Sequence, residues 1–180
     1  MKIHLKRGDV IVSEDEVLKA SLGSCVAVCL YHPGYSIGGM NHIFGSRLTH
    51  GSRSGKYIRT EKEGYFYADN AIPRLLSMLR KIYPSIENSS LHMAVVGGFN
   101  NEGAIIETLE ELGLKTVRHG YSGSYSLRTL PDSKYKFKLK GYCINNRLYR
   151  DVAFDIKNRV VVVKRTDPQT KAKDSIVITL

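Results

Sequence analysis

Cys25-Val-Ala-Val-Cys-Leu-Tyr31 is an unbroken apolar run, followed by His32-Pro33-Gly34-Tyr35 and then Ile37-Gly-Gly-Met-Asn-His42. The length and β-branched content of the run predict a buried central strand. His32 to Tyr35 carries a turn signal, and Ile37 to Phe44 resumes an extended pattern. The two strands are expected to form a hairpin. The rest of the chain supplies what must pack against them. Asn70 is expected to cap a helix with Pro73 in its first turn and Ile72, Leu75, Leu76, Leu79 and Ile82 on its inward face. A second helix is expected from Asn101, with Ile105, Ile106, Leu109 and Leu112 inward and Gly113 as its stop.

Further strands are predicted at Gly8 to Val12, Leu91 to Val96, Leu114 to Val117 and in a hairpin of Val152 to Ile156 with Arg159 to Lys164. Gly45 to Glu63, rich in Gly, Ser, Arg and Lys, reads as an exposed loop. Strands outnumber helices, so the predicted class is α+β (mixed α/β) in one domain.

Composition narrows the function classes. The chain has 180 residues, 42% hydrophobic and 24% charged, with only 16 Gly and 5 Pro, which is globular composition. The longest apolar run is too short to cross a bilayer, and the first residues show no apolar export signal, so a cytoplasmic protein without membrane insertion is expected. Three cysteines, Cys25, Cys29 and Cys143, suit reduced thiols rather than a disulfide scaffold.

Net charge is +10, and the stretch from Leu114 to Arg150 holds nine basic residues against one acid. Within it, Lys134-Tyr-Lys-Phe-Lys-Leu-Lys140 alternates as a strand would, lysines outward and Tyr135, Phe137 and Leu139 inward. Such lysines protect a sheet edge, and they also speed encounter with an acidic partner. A nucleic-acid partner is not expected, because no zinc-finger, helix-turn-helix or RNA-binding aromatic signature accompanies them.

Chemistry concentrates at Leu22-Gly23-Ser24-Cys25. Two small residues before a cysteine at the mouth of an apolar strand leave room for a substrate carbonyl and for backbone N–H donors near Ser24. Folding the hairpin about Pro33-Gly34 sets Cys29 opposite Gly38 and Cys25 opposite His42. Directly opposed residues have Cβ atoms about 4.5–5.5 Å apart on one sheet face, which is thiol–imidazole distance. Cysteine beside histidine is the minimal activated nucleophile. Gly38 and Gly39 are expected to keep the neighbourhood of the pair open. The same residues also fit a bland reading, a small core cysteine and a packed histidine. Cys29, deeper in the run, reads as core. Cys25, Cys29 and His42 lack structural-zinc spacing and no dinucleotide or Walker loop is present, so no metal and no cofactor are expected.

The block from Leu22 to Tyr31 with Ile37-Gly-Gly-Met-Asn-His42 closely resembles the CheD family of bacterial chemotaxis proteins. Weaker similarity runs through Tyr67-Ala-Asp-Asn-Ala71, Val95-Val-Gly-Gly98, Arg150-Asp-Val-Ala-Phe-Asp155 and Val160-Val-Val-Val-Lys-Arg165, in all a little over half the chain. The resemblance implies a glutamine deamidase that converts chemoreceptor Gln side chains to Glu with release of ammonia. It implies Cys25 as nucleophile and His42 as general base. It also implies a layered fold of packed β-sheets with flanking helices, related to the deamidase domain of certain bacterial toxins, and, in some bacteria, the phosphatase CheC as partner.

Three departures accompany it. The family carries a threonine shortly before the nucleophile as third catalytic member, where this chain reads Lys19-Ala20-Ser21, so Ser21 is the candidate substitute. The stretch after Gly97-Gly98 is abbreviated. Residues 119–149 read as a basic insertion. Two functional readings therefore stand: a working deamidase, and an adaptor that binds chemoreceptors or CheC without turnover.

Overall fold

The computed structural model describes residues 1–44, 67–98, 110, 112–119, 124–129, 135–145 and 148–180. Two sheets stack face to face. A five-stranded sheet has the order β1-β3-β10-β11-β12, and a seven-stranded sheet the order β2-β5-β4-β6-β9-β8-β7. The strands are β1 Lys2–His4, β2 Val10–Ser13, β3 Val17–Leu22, β4 Val26–His32, β5 Ile37–Ile43, β6 His92–Gly98, β7 Leu114–His119, β8 Ser124–Thr129, β9 Lys138–Asn145, β10 Tyr149–Asp155, β11 Val160–Thr166 and β12 Lys173–Thr179. Helix α1, Ala68–Ile82, covers the far face of the larger sheet.

The result is three layers in one domain, sheet on sheet on helix, with β4 inside the middle layer. Alternate residues of β4 feed two separate cores. Val26, Val28 and Leu30 pack under α1, while Ala27, Cys29 and Tyr31 meet Leu18, Phe154 and Val161 of the smaller sheet. Burial on both faces is why the run is unbroken rather than alternating.

The hairpin of β4 and β5 forms, but its register differs from the expected one. Ala27, not Cys25, stands opposite His42, and His32 opposite Ile37 closes a loop of Pro33 to Ser36. A two-residue hairpin loop needs positive φ at its first position, which the proline ring forbids. The loop lengthens instead, with Ser36 left-handed at φ 51 and the Tyr35 N–H donated to His32 Nδ1 at 3.1 Å.

Helix α1 starts at Ala68 after an N-cap at Tyr67, so Asn70 is inside the first turn and Pro73 sits a turn further in than expected. Ile72, Leu75, Leu76 and Leu79 are buried, but Ile82, expected inward, is 49% exposed at the helix end. The helix expected from Asn101 and the loop from Gly45 to Glu63 lie outside the described residues. The alternating lysine segment becomes strand only from Lys138, because Lys136 takes φ 52. Tyr135 and Phe137 are buried all the same, their rings stacked 5.1 Å apart. The span 119–149 supplies β8 and β9 to the seven-stranded sheet, with β9 parallel to β6.

Candidate active site

Two stretches of chain cross from the smaller sheet to the larger at the same place. One follows β1 and runs from Leu5 to Asp9 into β2. The other is Gly23-Ser24-Cys25, between β3 and β4. Leu5 is tied to the smaller sheet by its N–H, donated to the Lys19 carbonyl at 2.7 Å. At the other end of the first crossing, the His42 N–H donates to the Asp9 carbonyl at 3.1 Å and the Gly8 N–H to the His42 carbonyl at 2.9 Å. The crossings frame a cavity of about 410 Å³ lined by Leu5, Arg7, Ser21, Ser24, Cys25 and His42, among others.

Cys25 and His42 therefore share a cavity, although not as directly opposed residues. The register differs from the expected one by two residues, and side chains alternate with period two, so both still lie on the same face. Cys25 is the diagonal neighbour of His42, a geometry that separates Cβ atoms by about 7–8 Å or somewhat less.

The imidazole is oriented by a backbone group. His42 Nδ1 lies 3.3 Å from the Leu5 carbonyl oxygen. A carbonyl only accepts, so Nδ1 carries the proton and Nε2 is the acceptor. Nε2 is buried and has no hydrogen-bond partner among the described residues. Burial holds the His42 ring below the ordinary histidine range. The Leu5 carbonyl and Asp9 oppose that effect, while Arg7 and His4 add to it. Burial pushes the Cys25 thiol up, and the Arg7 guanidinium pulls it partly back. The resting pair is thus a neutral thiol and a neutral imidazole, with a base whose free nitrogen has no competing donor.

Ser21 stands on the outward side of β3, exposed, and its hydroxyl donates to Asp151 Oδ1 at 2.6 Å. It reaches the margin of the cavity while the ring partner of His42 is Leu5. Ser24 is half-buried at the cavity wall.

Gly38 and Gly39 do not open the site. A Cβ on Gly38 would meet the Phe154 ring at 2.7 Å, and one on Gly39 would meet Leu75 at 2.6 Å. These glycines let the second sheet and the helix pack onto β5, four and three residues away from His42. Cys29 is fully buried, and burial drives its thiol well above the usual cysteine range. Lys138 is paired with His92, at the opposite end of β6 from Gly97, which pairs with Val26 beside Cys25. Five residues of strand put that lysine about 17 Å from the cavity end.

Two contributors escaped the sequence reading. Leu5 acts through its carbonyl, which has no side-chain signature. Asn41 is buried, and its Oδ1 accepts the Val28 N–H at 3.0 Å, pinning β5 against β4 next to His42. Its place beside His42 in Met-Asn-His was the available signal. Among the described residues, no three His, Cys, Asp or Glu are grouped to hold a metal ion, and no helix is long and apolar enough to cross a membrane.

Fold and site together define a layered α+β protein with a thiol–imidazole cavity where its two sheets are joined. Known relatives make the class more particular. No family model matches the chain. A probable chemoreceptor glutamine deamidase CheD of Methanococcus vannielii is 38% identical over 85 residues, 46% of this chain and 49% of its own length. The probable CheD 2 of Shewanella oneidensis is 33% identical over 90 residues, 50% of this chain and 42% of its own. The probable CheD of Hahella chejuensis is 24% identical over 155 residues, 86% of this chain and 65% of its own. These similarities relate the chain to proteins named as CheD. The chain spans about half the length of the relatives it matches at the higher identities.

Proposed function

We propose that the protein is a cytoplasmic chemoreceptor glutamine deamidase acting through Cys25 and His42. The reading is carried by the shared cavity, in which a cysteine at the strand mouth accompanies an imidazole whose Nε2 is the proton acceptor, in a chain related to proteins named as glutamine deamidases. His42 Nε2 takes the Cys25 proton as the sulfur attacks the carboxamide carbon. The C=O electrons move onto oxygen, and the backbone N–H groups of Ser24 and Cys25 hold the resulting oxyanion. Collapse of the tetrahedral intermediate breaks the C–N bond, with the imidazolium proton leaving on ammonia. Water then attacks the thioester, its proton taken by His42, and releases glutamate and the thiol.

The test is peptide mass after incubation of a receptor cytoplasmic fragment with this protein and with Cys25→Ala. A Gln-to-Glu mass gain that disappears in the variant is the expected result. Tight binding to the fragment, or to CheC, with no mass gain on any native receptor would replace the deamidase by an adaptor without turnover.

A further inference from the structure

A second cavity, of about 360 Å³, lies on the outer face of the five-stranded sheet, which no described element covers. It shares His4 and Ser21 with the Cys25–His42 cavity, so the two adjoin at the C-terminal ends of β1 and β3. Across its floor run outward-facing residues in register. Ser21 stands opposite Asp151 and Asp151 opposite Lys164. Lys19 stands opposite Ala153 and Ala153 opposite Val162.

The charge balance of the joined groove is one-sided. Lys6, Arg7, Lys19 and Lys164 line it against a single carboxylate, Asp151, one of whose oxygens already takes the Ser21 hydroxyl. Among the described residues, neither Lys19 nor Lys164 has an ion-pair partner. Ala153 and Val162 between them offer a shallow apolar floor of the kind a side-chain stem covers.

We propose that the two cavities form one docking groove for an acidic stretch of the substrate polypeptide, which Lys19 and Lys164 select while its glutamine enters at Cys25. The glutamine part rests on the deamidase reading, and the acidic part rests on the groove alone. A peptide is favoured over a nucleic acid because no Phe, Tyr or Trp lines the groove to give bases a stacking platform. Lys138 belongs to the other sheet, at the end of β6 away from Cys25, so the selecting charges are not those of the conspicuous lysine alternation.

The experiment uses the full chain carrying Cys25→Ala, so that binding is read without turnover. Its probes are a labelled short peptide with a central glutamine flanked by glutamates and the same peptide with lysines in their place. Tighter binding of the glutamate peptide is expected, weakening with added salt. Combining Lys19→Gln with Lys164→Gln should weaken it about tenfold. In the chain with Cys25 intact, the two lysine substitutions should raise KM with little change in kcat.

Equal affinity for both peptides, an unchanged affinity in the lysine variant, or tighter binding of a single-stranded oligonucleotide would overturn the groove. Selective binding of the glutamate peptide with no deamidation of any substrate would overturn the deamidase reading and leave the groove standing.

Discussion

Cys25, just before β4, and Cys29, within it, lie four residues apart and both feed the core between the sheets. One is sealed, and burial alone drives its thiol upward. The other keeps 7% exposure, faces a cavity, and has its thiol pulled partly back by Arg7. Residue type and face are identical, so neither sets this difference in access. Position does: Cys25 ends the crossing between sheets, where the interlayer space meets solvent, and Cys29 sits two pleat repeats further in.

The largest test of this contrast is turnover. Cys25→Ala is expected to reduce deamidation by about a thousandfold or more. Cys29→Ala should leave the rate per folded molecule intact and cost roughly 1 kcal/mol of stability from the cavity it creates. Iodoacetamide labelling followed by peptide mapping should find Cys25 modified and Cys29 protected. Because burial raises the Cys25 thiol, its labelling should be slow at neutral pH and accelerate as pH rises. Equal labelling of both would break the comparison.

A smaller effect is expected at the base. His42→Gln should lower turnover by about a hundredfold to ten-thousandfold. Since burial holds the His42 ring below the ordinary histidine range, the imidazole stays a base down to unusually low pH. The acidic limb of the rate profile should therefore lie below the ordinary histidine pKa, and it should vanish in the variant. A limb at or above the ordinary value would show that another group titrates.

Next come the glycines, where stability is the readout. Gly38→Ala presses a methyl into the Phe154 ring and should cost about 1–3 kcal/mol by thermal or denaturant unfolding. Gly23→Ala meets nothing closer than the Tyr149 ring at 3.6 Å and should shift stability by no more than about 0.5 kcal/mol. Equal costs would mean that the hairpin glycines are not held by the second sheet. The smallest effect is expected at the rim. Ser21→Ala and Asp151→Asn should each change turnover by less than about tenfold, since their bond faces away from the imidazole. A loss in Ser21→Ala as large as in His42→Gln, without one in Asp151→Asn, would make Ser21 the third catalytic member.

What the sequence disclosed follows the range of the forces involved. The unbroken run of β4 and the inward face of α1 are local patterns, and both were legible. That Cys25 and His42 share one sheet face and one cavity was legible too, though from the wrong register. The expected register ignored that Pro33 cannot open a two-residue loop, and the pairing survives because a slip of two residues preserves the face. Val17-Leu-Lys-Ala-Ser-Leu22 alternates with period two, so the outward place of Ser21, beside Lys19, was open to the same reading. Which sheet each strand joins depends on contacts remote in sequence, so the crossings that frame the cavity left no local trace. Leu5 could not be found, because its contribution is a main-chain oxygen that every residue possesses.

The imidazole clamp has a mechanical meaning. His42 belongs to the larger sheet, whereas the carbonyl that turns its ring is anchored through Leu5 to the smaller one. The ring is therefore a gauge of how the two layers are seated on each other. A slide of one layer by an ångström, far short of unfolding, would release Nδ1 and let the ring swing. Heat, pressure or a partner that pries the layers apart should then silence the site while both sheets remain intact.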